Sequence, residues 1–183
     1  MFVKVSIIMS CYNSQATIGQ SVESILNQSY ENFELLICDD GSIDSTFREI
    51  EKYSKADKRI SIFKNEKNIG LTKSLNLLIN KSDGEFIARQ DDDDISLSHR
   101  IETQIKVIKD LNLDFATSRA KILGTDKLIP GLSFNLPVSF VMNFKNPFIH
   151  GTLLIKKKIL NDIGNYDERF YYAQDYKLFS DLV

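Results

Sequence analysis

From Val3 to Ile108 the chain alternates short β-branched runs with stretches whose apolar residues recur every three or four positions. Few architectures accept that order. Val3-Lys4-Val5-Ser6-Ile7-Ile8-Met9 reads as a buried strand, and Ile18, Val22, Ile25 and Leu26 then mark a helix from about Ala16 to Asn27. Phe33 to Cys38 is a second strand; Asp44 or Ser45 can cap a helix carrying Phe47, Ile50 and Tyr53; Arg59 to Lys64 is a third, shorter strand. Leu71, Leu75, Leu78 and Ile79 give another helix, and Asp83-Gly84 turns the chain into the run Glu85 to Gln90. Ile101, Ile105 and Ile108 stripe the helix after that. Strands and helices of these lengths in alternation predict the α/β class: a mostly parallel, Rossmann-like sheet with right-handed crossovers and helices on both faces.

The rest is less regular. From Lys121 to Phe148 the turns Gly124-Thr125-Asp126-Lys127 and Pro130-Gly131 predict a hairpin and irregular structure beside the ligand cleft, and Thr152 to Ile155 one more strand. Leu178, Phe179, Leu182 and Val183 are in helical register at the last residue, with no Gly, Pro or basic cap, so a longer protein is expected. With 183 residues, 43% hydrophobic, and no repeat or linker, a single domain is expected over 1–183. A net charge of −2 argues against a nucleic-acid partner, which would select a basic face; the triplet Lys156-Lys157-Lys158 is too short to change that. No apolar stretch approaches the ~18 residues of a membrane span. Met1-Phe2-Val3-Lys4 has no signal-peptide character. Cys11 and Cys38, at the ends of apolar runs, read as small core residues, and a cytosolic compartment is expected.

Asp91 to Asp94 directly follow the fourth strand-like run. Four adjacent carboxylates repel one another, and a hard divalent cation among their oxygens would relieve that. A solvated acidic turn is the plainer alternative. Two further polar clusters tip the balance towards a site: Ser10-Cys11-Tyr12-Asn13 after the first strand and Asp39-Asp40-Gly41-Ser42 after the second. Ligands of open parallel sheets bind at the carboxyl ends of strands, so all three clusters would line one crevice. A carboxylate there can accept the ring N–H of a uracil-like base, with Tyr12 stacked on its face. Gly41 allows close backbone approach. Mg²⁺ or Mn²⁺ takes one or two carboxylates and shares the rest of its shell with phosphates. Neither GxGxxG nor GxxxxGK[ST] occurs, so metal rather than a glycine-rich loop would bridge the phosphates of a nucleoside diphosphate.

These motifs resemble family-2 glycosyltransferases of the GT-A fold. The opening is carried by Ser6-Ile7-Ile8-Met9-Ser10-Cys11-Tyr12-Asn13, Ser24-Ile25-Leu26-Asn27-Gln28-Ser29-Tyr30 and Asp39-Asp40-Gly41-Ser42-Ile43-Asp44. Gly84-Glu85-Phe86-Ile87-Ala88 leading into Asp91-Asp92-Asp93-Asp94-Ile95-Ser96 resembles the DxD segment. His150-Gly151-Thr152, Tyr166-Asp167 and Gln174-Asp175-Tyr176-Lys177-Leu178 resemble the acceptor-side half.

The resemblance implies a nucleotide-sugar half over 1–118 and an acceptor-side half over 119–183, incomplete at its C-terminus. It matches Asp40 to uracil recognition beside Ser10, Tyr12 and Asn13, and Asp91 and Asp93 to the DxD pair. Asp91 and Asp93 are then expected at the metal, Asp93 in direct contact, with Asp91 or Asp92 also on the ribose side, His150 on the acceptor or diphosphate side, and Asp175 as general base of an inverting displacement. The partners implied are a UDP-sugar donor and a saccharide or lipid-linked acceptor, in polysaccharide synthesis at the cytoplasmic side of a membrane. Peripheral association with that membrane would run through the missing C-terminal part. Two positions depart from the pattern: Gln174 replaces a usual Glu, leaving Asp175 less crowded, and Asp92 adds charge where a small residue is usual, tightening metal dependence.

Each residue also has a plainer reading. Asp40 can cap the next helix, Tyr12 can pack at the rim on Ile43, His150 can be structural, and Asp175 can be the N-cap of the last helix. Lys73 and Arg89 are expected on solvated surface, and His99 and Arg100 in a first helical turn, paired with nearby acids. Two other classes compete: a metal-dependent sugar nucleotidyltransferase, which would carry a glycine-rich basic first loop, and a non-catalytic nucleotide-binding module.

Overall fold

The computed structural model describes residues 3–183; Met1 and Phe2, where the signal-peptide reading begins, lie outside them. Six strands form the main sheet in the order β3-β2-β1-β4-β8-β5: β3 (Ile60–Lys64), β2 (Phe33–Asp39), β1 (Val5–Cys11), β4 (Phe86–Arg89), β8 (Leu154–Lys156) and β5 (Phe115–Ala116). The first four are parallel, with Ile7 beside Leu35 on one side and Ala88 on the other. β8 pairs antiparallel to both β4 and β5.

All seven residues of β1 are buried because the sheet is covered on both faces. Alternate side chains feed two cores. Val5, Ile7, Met9, Leu35 and Ile37 pack under α1 (Ile18–Leu26), α2 (Thr46–Ala56) and α4 (Arg100–Asp110). On the opposite face, Ile8, Leu36, Cys38 and Ile87 pack against α3 (Leu71–Lys81), α6 (Lys157–Asp162) and α7 (Gln174–Leu182). Burying each of these side chains contributes roughly 1.5–3 kcal/mol.

Several boundaries move for local reasons. α1 starts at Ile18 rather than Ala16, because the Ser14 carbonyl first closes a turn with the N–H groups of Thr17 and Ile18, both at 3.0 Å. Asp44, not Ser45, accepts the Thr46 N–H at 2.9 Å ahead of α2. Thr152 belongs to a 3₁₀ turn, and the strand expected there begins at Leu154. Between β5 and β8 the irregular stretch carries the hairpin β6 (Ala120–Lys121) to β7 (Leu128–Ile129), then the short helix α5 (Val138–Val141). No helix among the described residues is long and apolar enough to cross a membrane.

Candidate functional site

The loops after β1, β2 and β4 meet at one edge of the sheet. Asn13, at φ 54°, lies between the first two: its N–H donates to Ser42 Oγ at 2.9 Å, and its Oδ1 accepts from Ile43 N at 3.0 Å. Ser14 N donates to Thr46 Oγ1 at 2.7 Å. Ser10 is buried, whereas Tyr12 is 45% exposed and free to meet a ligand; Ile43 beside it is 89% exposed, too open to hold a packed ring. Gly41 adopts φ 75°, and a Cβ there would lie 2.4 Å from the Lys67 carbonyl carbon, so the loop after β3 crosses directly over it.

That crossing loop occupies Asp40. Its Oδ1 accepts from Asn65 Nδ2 (2.7 Å) and Ile69 N (3.0 Å), and Oδ2 accepts from Gly70 N (2.8 Å). Asp40 therefore closes the entrance to α3 rather than capping α2. A carboxylate offers about four acceptor positions, and Oδ2 retains one.

The four aspartates have four different environments. Arg89 donates to Asp91 Oδ1. Asp91 Oδ2 faces Gly151, where an added Cβ would come within 2.3 Å of it and 2.9 Å of Asp94 Oδ2, so no side chain fits between the two carboxylates. Asp92 turns inward: Ser14 Oγ and the Tyr12 N–H donate to it, and burial pushes its carboxyl above the usual range. The extra charge is thus spent on the β1 loop. Burial also raises Asp94, with Asp91 and Asp93 adding to the shift. Asp93 is exposed and, among the described residues, has no hydrogen-bond or ion-pair partner.

Two arginines correct the sequence expectation. Arg89 is 2% exposed, not solvated. It ends β4 between β1 and β8, so its guanidinium stays beneath the acidic loop, donating to Gln90 O and Asp91 while Nε has no partner. Arg100 pairs with no acid. It is buried and donates to Gln90 Oε1 (2.8 Å), Ser96 Oγ (2.8 Å), Arg89 O (2.7 Å) and Gly151 O (3.2 Å), tying the 3₁₀ turn to the acidic loop. Burial, then the neighbouring Arg89, lowers it to about 10. His99 and Lys73 are exposed.

On the far side of Arg89, His150 Nε2 lies 2.6 Å from the Tyr166 hydroxyl. Burial and the Arg89 cation hold the imidazole down to about 3, so it is neutral at working pH and offers no cation to a diphosphate. Burial pushes Tyr166 up. The charges of both Asp91 and Asp175 act on this pair. Asp175 is not the N-cap of α7; Ala173, at φ 56°, is. Asp175 sits in the first turn, half-buried, its Oδ2 accepting from Asn146 Nδ2 at 2.8 Å. The exposed Tyr171 ring, 3.5 Å from where a Gly70 Cβ would stand, joins this end of the crevice to the Asp40 loop.

Among the described residues no three Asp, Glu, His or Cys side chains form a ready metal cage. The donor chemistry nevertheless fits a hard cation. Asp93 is unpartnered, Asp91 Oδ2 and Asp94 Oδ2 approach each other across Gly151, and Mg²⁺ or Mn²⁺ asks for only one or two protein carboxylates.

Known proteins share this fold. The solved structure of S. aureus TarS 1–349 in complex with UDP-GlcNAc superposes with a TM-score of 0.81 over 98% of this chain and 53% of that one, at 23% identity, which establishes the GT-A fold. The putative glycosyltransferase EpsE of Bacillus subtilis is 34% identical over 172 residues, 89% of this chain and 60% of the relative. The UDP-Glc:alpha-D-GlcNAc-diphosphoundecaprenol beta-1,3-glucosyltransferase WfgD of Escherichia coli is 31% identical over 180 residues, covering 98% and 69%. The chain thus spans about 60–70% of the length of these relatives. The profile of glycosyl transferase family 2 matches residues 6–166, and the chain belongs to that family.

Proposed function

We propose that the chain is the catalytic part of a glycosyltransferase that moves a sugar from a UDP-sugar to a saccharide or lipid-linked saccharide, inverting the anomeric carbon. The observation that carries this reading is the division of the acidic run: Asp91 and Asp92 are engaged by protein groups, while Asp93 stands unpartnered at the sheet edge that also presents Asp40 and Tyr12. Asp40 Oδ2 keeps one acceptor position for the N3–H of uracil, and Tyr12 stacks on the ring. Ser10 and Asn13 shape the base pocket, and Asp91 or Asp92 lies on the ribose side. UDP-Glc in the name of WfgD and the UDP-GlcNAc complex of TarS favour UDP as the nucleotide.

Asp93, with the free oxygens of Asp91 and Asp94, would hold Mn²⁺ or Mg²⁺, whose chemistry is Lewis-acid neutralisation of the departing diphosphate. Asp175 accepts the proton of the acceptor hydroxyl as that oxygen bonds to the anomeric carbon and the bond to the diphosphate breaks. Asn146 fixes Oδ2 and leaves Oδ1 for this work; a base so placed contributes roughly 10²–10⁴-fold. The neutral His150–Tyr166 pair offers hydrogen bonds, not charge, beside the acceptor. Residues 1–118 serve the donor and 119–183 the acceptor, within one domain. The lipid-linked acceptor in the name of WfgD suggests work at the cytoplasmic face of a membrane in polysaccharide synthesis.

Calorimetry with UDP in Mn²⁺ and in EDTA tests the donor site, with GDP and Asp93→Ala as controls. Metal-dependent binding of UDP over GDP, lost in Asp93→Ala, is the expected result; no binding of either nucleotide overturns it. Asp175→Asn should keep UDP affinity while turnover falls 10²–10⁴-fold. A variant that keeps full turnover removes Asp175 from the chemistry.

A further inference from the structure

We propose that residues 119–145 form a face that docks onto an anionic lipid bilayer. Nine of the twenty exposed large hydrophobic residues of the described chain fall in these 27 positions, which are about a seventh of its length. Leu132 is 90% exposed, Leu123 80%, Phe144 76% and Phe140 57%. Exposed apolar surface so concentrated marks an interaction site. Its charge identifies the partner. The segment carries Arg119, Lys121, Lys127 and Lys145 against Asp126 alone, net +3, in a chain whose total is −2, so the remainder carries −5. All four cations are exposed, and the single acid is already paired with Lys121 at 2.7 Å.

Cations and apolar side chains are interleaved, as an interfacial segment requires: apolar groups enter the acyl boundary while Lys and Arg reach phosphate headgroups. The Arg119 guanidinium lies 5.1 Å from the Phe134 ring centroid, and Phe140 and Phe144 stack at 5.3 Å within one helical turn.

A few inward contacts set the orientation of this face. Val141 is buried, the Tyr176 hydroxyl donates to Met142 O, and Phe148 stacks on Phe179 at 4.4 Å. Asn146, one residue past the face, holds Asp175. A bilayer seated here would therefore lie beside Asp175. The docking itself does not depend on the proposed reaction.

Cosedimentation of the chain with phosphatidylglycerol-rich vesicles and with pure phosphatidylcholine vesicles tests the proposal. Expected are binding to the anionic vesicles only, weakening with added salt, and a roughly fivefold loss for each cation neutralised in Arg119→Gln and Lys145→Gln. Phe140→Glu/Phe144→Glu should lose at least tenfold while circular dichroism and UDP binding stay unchanged. No pelleting with anionic vesicles, equal pelleting with both kinds, or undiminished binding of the variants overturns the proposal. So does a concentration-dependent dimer, seen by sedimentation, that the double variant abolishes, since a second copy would then own the face.

Discussion

The sheet edge that carries the acidic run and the segment 119–145 are built on opposite terms. At the edge nearly every polar group is committed: Arg100 alone makes four hydrogen bonds, and Asp40 accepts three. The outer segment places Val141 in the core and leaves most of its other apolar side chains in solvent. The first region gains its shape from its own packing, so it can be pre-organised for a ligand before one arrives. The second gains little from the fold, and what it exposes is available to something outside.

The largest effect should come from the core beneath the edge. Ile37, in β2, is fully buried between neighbouring strands and under helices, so Ile37→Ala should cost about 4 kcal/mol in urea denaturation, high in the 2–5 kcal/mol range because a sheet centre collapses poorly around a cavity. Leu132→Ala should stay within about 0.5 kcal/mol. Equal losses would show the outer segment packed in solution and break the contrast. Within the acidic run the same contrast holds at a distance of two residues. Asp91→Ala strands the buried Arg89 and should cost about 3 kcal/mol without metal, the lower end for a broken ion pair because Asp91 is 33% exposed. Asp93→Ala breaks no contact and relieves repulsion on Asp92 and Asp94, so metal-free stability should hold or rise slightly. If Asp91→Ala unfolds no more easily than Asp93→Ala, Asp91 is as free as its neighbour.

How much of this could be read in advance follows the same division. β1 and β2 were legible because strands buried on both faces must be continuous apolar runs. The crevice was legible because a parallel sheet fixes where its loops go. Arg89 was misread because a charge after an apolar run suggests solvent; only the place of β4 between β1 and β8 buries it, although Asp91 two residues on was a visible partner. Asp40 lost its capping alternative to a loop some 30 residues on, a distance at which spacing carries no information. β5, two residues long, is too short for any periodicity, and the antiparallel β8 follows a stretch where the strand–helix alternation has stopped. The role of Gly151 is invisible without the two carboxylates it separates.

The smallest effect lies at the seam, where His150 joins the edge to Tyr166. In the folded protein burial and Arg89 keep the imidazole neutral down to about pH 3, whereas in the unfolded chain it takes a proton near 6.5. Between those values the unfolded state holds the extra proton, so stability is complete above pH 6.5 and declines as the pH falls towards 3. Moving from pH 7.5 to 5.5 should remove about 1 kcal/mol more from the wild type than from His150→Gln, read from urea midpoints. The lowered carboxyls of Asp44, Asp57 and Asp167 act in the same direction only below the ordinary carboxylate range near pH 4, and the raised carboxyls of Asp92 and Asp94 act in the opposite direction; both proteins share these groups, so the difference between them isolates the imidazole. Equal slopes in the two proteins would mean that His150 already reaches solvent. The seam would then belong with the open outer segment rather than with the locked edge.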